Sequence, residues 1–151
     1  MSAVTILSTT NLCIGYATEK VVNQIASELN LNLAEGKLIA LIGANGVGKS
    51  TLLRTLTGIQ KPISGSVELA GKPLDGLGAS EMAQQISVVL TENLPPSNLT
   101  VFELVALGRQ PYTDWMGTLS SDDKKMIEWA MEQTQIVDLK YKKHHEISDG
   151  Q

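Results

Sequence analysis

Residues 38–51 read Leu38-Ile39-Ala40-Leu41-Ile42-Gly43-Ala44-Asn45-Gly46-Val47-Gly48-Lys49-Ser50-Thr51. The stretch from Leu38 to Ile42 is apolar without interruption and lies between Gly36 and Gly43. A short continuous apolar run is the pattern of a strand buried on both faces, as in a parallel sheet with helices on each side. The residues that follow fit G-x-x-x-x-G-K-[ST], and each fixed position has a mechanical reason. Gly43 ends the strand and lets the chain turn. Gly46 and Gly48 allow torsions barred to residues with a Cβ, and bring N–H groups close to phosphate oxygens. Lys49 sets an ammonium on the β- and γ-phosphates of a nucleoside triphosphate. Ser50 offers a hydroxyl to Mg2+. Asn45 and Thr51 complete the cradle, and a helix starting near Lys49 aims its positive end at the same anion. The ligand expected from this loop is Mg-ATP.

Outward from the loop, the N-terminal third reads as strands. Val4–Leu7 and Leu12–Tyr16 are short β-like runs, and Leu29, Leu31 and Leu33 share one face with polar residues between them. Ala34-Glu35-Gly36-Lys37 reads as a tight turn. After the loop, Lys49–Thr57 reads as a helix stopped by Gly58 and Pro62. Gly65–Leu69 reads as a strand, Gly71-Lys72-Pro73 as a turn, Ser80–Gln84 as a short helix and Ile86–Leu90 as another buried strand. Pro95-Pro96 opens a loop. Thr100 with Glu103 forms a capping-box pair ahead of a helix through Leu107. Ser120 and Asp123 cap the next helix, which runs to about Gln135 with Met126, Ile127, Ala130 and Met131 on one side.

Composition narrows the class. The chain of 151 residues suits one domain and is 42% hydrophobic and 19% charged. Its net charge of -4 offers none of the basic excess that a nucleic-acid binder carries, so no nucleic-acid partner is expected. The longest apolar run, Leu38–Ile42, is far short of a membrane span. Met1–Leu7 has no basic cluster ahead of an apolar stretch, so no secretory signal is expected there. The single cysteine, Cys13, excludes an internal disulfide and points to a reducing, cytosolic compartment.

Four further features occur in order. Tyr16 follows Gly15 at the end of an early strand. Residues 90–92 read LTE, residues 107–112 read LGRQPY, and residues 147–151 read ISDGQ. With the phosphate loop, this order resembles the ATP-binding subunit of ABC transporters. LGRQPY and its lead-in TVFELVA, residues 100–106, resemble the branch that imports iron chelates, haem or vitamin B12. The resemblance covers the whole chain. It implies an α/β P-loop NTPase with a parallel core sheet, an N-terminal antiparallel β-subdomain and a partial helical subdomain. Residues 1–92 would form the β-subdomain and core, 93–147 the helical subdomain, and 147–151 the start of the signature.

The resemblance also implies roles. Tyr16 stacks on adenine, against the alternative of a tyrosine packed on the β-subdomain. Lys49 and Glu92 serve catalysis. Glu92 stands where the family carries a glutamine that touches Mg2+ and the attacking water. A carboxylate still ligates Mg2+ but, ionised, donates no hydrogen bond to water. The alternative is a solvated loop acid. Ser148, Gly150 and Gln151 keep the signature pattern L-S-G-G-Q, which caps the γ-phosphate held by the other subunit of a head-to-tail dimer; Ile147 and Asp149 depart from it. Leu94, Pro95, Pro96, Tyr112, Trp115 and Met116 would meet a permease subunit on the cytoplasmic face of the inner membrane, or else pack locally. His144 and His145, beside Lys140, Lys142 and Lys143, read as a solvated basic run rather than a metal site.

The family continues beyond the signature with a helix, a strand ending in Asp-Glu, and a later histidine. The chain is therefore expected to be a fragment that binds nucleotide weakly and hydrolyses it hardly at all. The expected function is energy coupling for an importer, with permease subunits and a second ATP-binding subunit as partners. Two other readings stay open: an ABC-type ATPase without a transporter, and a non-catalytic nucleotide-binding module that regulates a partner. A P-loop kinase gives ISDGQ no role.

Overall fold

The computed structural model describes residues 4–89 and 97–147. The chain divides into two compact units, 1–82 and 83–151.

The first unit is built on one long strand. β1 spans Thr5–Ala17, β2 Val22–Leu29, β3 Asn32–Ala34, β4 Ser64–Leu69 and β5 Lys72–Pro73. The order is β2-β1-β4-β5, with β3 also on β1, and every pairing is antiparallel. The two runs expected at Val4–Leu7 and Leu12–Tyr16 are thus one strand that passes through an irregularity at Asn11. Asn11 takes φ 46, a conformation that asparagine tolerates better than most residues. Its N–H is held by Asn30 Oδ1 at 2.8 Å. The register shifts there against both neighbours, between Leu12 and Ile14 on β2 and between Thr10 and Cys13 on β4.

Leu12, Cys13 and Ile14 are consecutive and all buried, so the middle of β1 is covered on both faces. Leu56, Val67, Leu69 and Leu74 complete that core. Full burial of Leu12 or Ile14 is worth about 1.5–3 kcal/mol each. Leu29, Leu31 and Leu33 are half-buried while Asn30 and Asn32 are exposed, as their alternation predicts. Helix α1, Lys49–Leu56, follows the phosphate loop, and α2 spans Ala79–Gln85.

Among the described residues the expected parallel core sheet is not found, and that expectation is corrected. Residues 37–44 and 86–89 form no strand. Leu38 and Ile42 are 102% and 89% exposed, and Val89 is 99% exposed. The observed sheet is the antiparallel one. The reason is physical. An apolar run states what a segment would bury, but a strand exists only when a neighbour completes its hydrogen-bond ladder. For Leu38–Ile42 no described strand supplies that ladder, and no local pattern encodes a partner that is distant in sequence.

The second unit is helical. α3 spans Val101–Ala106, and α4 spans Ser121–Gln133. Both begin with the capping boxes that the sequence predicts. Thr100 Oγ1 accepts from Glu103 N at 3.2 Å while Glu103 Oε2 accepts from Thr100 N at 2.8 Å. Ser120 and Asp123 do the same for α4. Val101, Ile127 and Met131 form the core. Ala130 is half-buried and Met126 exposed, so the buried stripe is narrower than expected. LGRQPY continues α3 as a 3-10 helix over Leu107–Tyr112, with Pro111 inside it. The chain returns beside Thr100 near Lys143, where Val101 N donates to Lys142 O at 2.9 Å. Among the described residues no helix is long and apolar enough to cross a membrane.

Candidate nucleotide site

Three helices invite comparison at their N-termini. α3 and α4 satisfy their first N–H groups with their own side chains. α1 does not: its N-cap is Gly48, there is no side-chain cap hydrogen bond, and no acidic residue stands in its first turn. The first turn of any helix leaves N–H donors without intrahelical partners and carries partial positive charge. At α1 these donors face the glycine-rich loop, so they are suited to an anion brought from outside.

The loop geometry agrees. Gly46 and Gly48 have φ of +80° and +102°. At Gly48 a Cβ would also lie 2.4 Å from Ile25 Cγ2, so torsion and packing both demand glycine. Residues 43–47 are exposed. They curve around Lys49, whose ammonium donates to Gly43 O at 2.8 Å and Ala44 O at 2.7 Å. The loop is therefore neither extended nor buried; it is wrapped on a cation. Phosphate oxygens are stronger partners for an ammonium than neutral carbonyls, so this arrangement can exchange its carbonyls for a polyanion. Ser50, the next residue, is exposed, and Asn45 lies in the turn of the loop.

Tyr16 arrives from the end of β1. Its hydroxyl stands 3.3 Å from Thr51 Oγ1, and Thr51 is buried in the first turn of α1. The ring is half-exposed and borders a hollow of about 600 Å3, which Ala17, Thr18, Arg54 and Ile59 also line. That volume is within the range of small-ligand pockets. Tyr16, Lys49, Ser50 and Thr51, far apart in sequence terms only for the first, thus share one end of one helix. Glu92, Ser148, Gly150 and Gln151 lie outside the described residues, as do Leu94, Pro95, Pro96 and Asp149.

In the second unit, sequence reasoning missed an ion pair. Arg109 Nε donates to Asp123 Oδ1 at 2.8 Å, and its guanidinium lies 3.9 Å from the centre of the Tyr112 ring. Asp123 is thereby both capping residue and counter-ion. Hydrogen bonds from Ser120, then from Arg109, hold its carboxyl below the usual carboxylate range. The signal was an acid at the third position of a helix, which announces the cap but not the arginine. Trp115 and Met116 are exposed. The basic run is only partly solvated: Lys140 pairs with Glu128 at 3.1 Å, and His144 has a buried Nδ1 with no hydrogen-bond partner. Among the described residues no cluster of metal-ligating side chains occurs.

Comparison with known proteins places these features. The model of a family described as ABC transporter matches residues 26–151. An uncharacterized ABC transporter ATP-binding protein of Methanocaldococcus jannaschii is 43% identical over 148 residues, covering 96% of this chain and 49% of that protein. The iron(3+)-hydroxamate import ATP-binding protein FhuC of Bacillus subtilis is 36% identical over 145 residues, covering 96% of this chain and 52% of that protein. The dimeric structure of a bacterial ABC transporter cassette superposes with a TM-score of 0.78 at 24% identity, over 97% of this chain and 65% of that one, a likeness of fold. The chain spans about half the length of the curated relatives it matches.

Proposed function

This chain belongs to the ABC transporter family, and from that premise we propose that it is an ATP-binding subunit that couples nucleotide binding and hydrolysis to import of an iron chelate, haem or cobalamin. The observation that carries the nucleotide reading is the uncapped start of α1 beneath a glycine loop closed on Lys49. Lys49 and the loop amides grip the β- and γ-phosphates, with Gly43, Asn45, Gly46 and Gly48 supplying the close backbone. The Ser50 hydroxyl suits Mg2+, which is held by one or two protein oxygens together with the substrate's phosphates. When bound, the cation draws charge from the phosphate oxygens. Tyr16 supplies an aromatic face for the adenine beside the hollow at the end of β1.

Glu92 is proposed as a further metal contact, and Ser148, Gly150 and Gln151 as the cap on the γ-phosphate of a second, head-to-tail subunit. The import reading draws on the relative named for iron(3+)-hydroxamate import and on LGRQPY. Exposed Trp115 and Met116 are the proposed contacts with a permease, which would hold the subunit at the cytoplasmic face of the inner membrane. If co-purification with the permease is unchanged after Trp115→Ala and Tyr112→Ala, that contact is wrong.

Titration calorimetry with Mg-ATP tests the site. Lys49→Ala should weaken binding about tenfold to a hundredfold, the worth of charge-assisted hydrogen bonds. Equal affinity in parent and variant overturns the assignment.

A further inference from the structure

We propose that Gln60 is a positioning residue for base recognition, setting the Tyr16 ring against the phosphate-loop helix by holding the backbone of Gly15. The proposal rests on the reading of this loop as an ATP site. The observations are four. Gln60 sits just beyond the C-terminal end of α1, where its backbone N–H donates to Arg54 O at 3.0 Å. Its side-chain Nε2 reaches back and donates to the carbonyl of Gly15. Gly15 immediately precedes Tyr16, and the register of β1 against β2 breaks between Ile14 and Gly15. The hydroxyl of Tyr16 then meets Thr51 at the opposite end of the same helix.

The strand end therefore has two ties to α1. One runs from the C-terminal end of the helix through Gln60 to the Tyr16 backbone. The other runs from the ring tip to the first turn. Pairing with β2 already holds Gly15 against Gln24 and Tyr16 against Asn23 on one side, but a backbone bond leaves χ1 free and the hydroxyl bond leaves the other side of the strand untied, so neither tie alone fixes the ring. Together they set the ring relative to Lys49 and Ser50. The ladder on the β4 side gives no help here. Its last bonds are at Cys13, which pairs with Ser64 and accepts from Ile63 N at 2.9 Å. Gly15 O lies beyond that point, and Gln60 supplies its donor. The acceptor is a carbonyl, so only the amide nitrogen of Gln60 satisfies it. Close packing leaves the position no slack: a Cβ on Gly15 would lie 2.1 Å from Asn23 O and 2.8 Å from Ile63 Cδ1. Gln60 and Tyr16 both line the same hollow, so the ring that Gln60 sets faces that space.

A residue that acts on the base and not on the phosphates has a distinctive signature. The test measures binding of Mg-ATP and of Mg-tripolyphosphate, which has no base, to the full chain. The forms compared are the parent, Gln60→Ala, Gln60→Glu, Tyr16→Ala and the Gln60→Ala/Tyr16→Ala pair. Gln60→Ala should lose ATP affinity about threefold to tenfold, the worth of one hydrogen bond, with tripolyphosphate affinity unchanged. Gln60→Glu nearly preserves the shape but, ionised, cannot donate, so it should lose at least as much; it serves as the readout if the alanine variant fails to fold. The double variant should bind ATP no more weakly than Tyr16→Ala, because Gln60 acts through the ring. Equal losses for both ligands would mean a general structural role and overturn the proposal, as would additive losses in the double variant. A parent chain that binds neither ligand would instead overturn the nucleotide site itself, and this inference with it.

Discussion

The hydroxyl of Tyr16 lies 3.3 Å from that of Thr51, joining the end of the first strand to the first turn of the phosphate-loop helix. Tyr16→Ala should cost about 1–3 kcal/mol of ATP binding, the scale of base–aromatic stacking. Tyr16→Phe keeps the ring and loses only the hydroxyl contact, so its loss should stay near 1 kcal/mol. Calorimetric titration with ATP separates them. If alanine and phenylalanine lose equally, the hydroxyl rather than the ring is what matters.

Two glycines of the loop should respond unequally to a methyl group. Gly46 has φ +80° and open space around a Cβ, so Gly46→Ala carries only the backbone cost of about 1–2 kcal/mol. Gly48 has φ +102° and Ile25 Cγ2 in the way, adding about 1–3 kcal/mol of overpacking. Thermal unfolding should rank Gly48→Ala well below Gly46→Ala. A reversed order would mean that Ile25 does not close on Gly48.

Acid should act through Asp123. Its folded pKa is depressed by Ser120 and then Arg109. A group depressed on folding stabilises above its unfolded pKa, and that stability disappears as pH falls through the lower folded value. Helix α4 should therefore hold steady from neutral pH down to the ordinary carboxylate range and weaken below it. Asp123→Asn removes the titrating group, so helicity measured against pH should lose that acid-dependent step while being lower at neutral pH. A step that persists unchanged in the variant would assign it to another carboxylate.

Removing the metal should expose the role of Ser50. In excess EDTA the parent should bind ATP more weakly, leaving Lys49 and the loop amides as the grip. Ser50→Ala should weaken binding with Mg2+ present and match the parent without it. A difference between the two that is the same with and without metal would make the hydroxyl a phosphate contact instead.

Local signals proved legible where the physics is local. Thr100 with Glu103 and Ser120 with Asp123 announce helix starts because a cap is a bond between residues three apart. Gly46 and Gly48 declare positive φ because only glycine takes it cheaply. The alternation of Leu29, Leu31 and Leu33 shows which way each side chain faces. Leu38–Ile42 misled for the complementary reason, since its apolarity says nothing of the strand beside it.

Residue order alone was enough for the glycine torsions of the loop, the helix caps and the family, since each depends on neighbours within a few positions or on a contiguous motif. Folding in three dimensions settled the rest: that β1 is one bent strand, that Arg109 meets Asp123, and that Gln60 reaches Gly15. Those contacts join residues from 14 to 45 positions apart. A side chain's chemistry limits what it can bond, but only the path of the backbone brings the partner within reach.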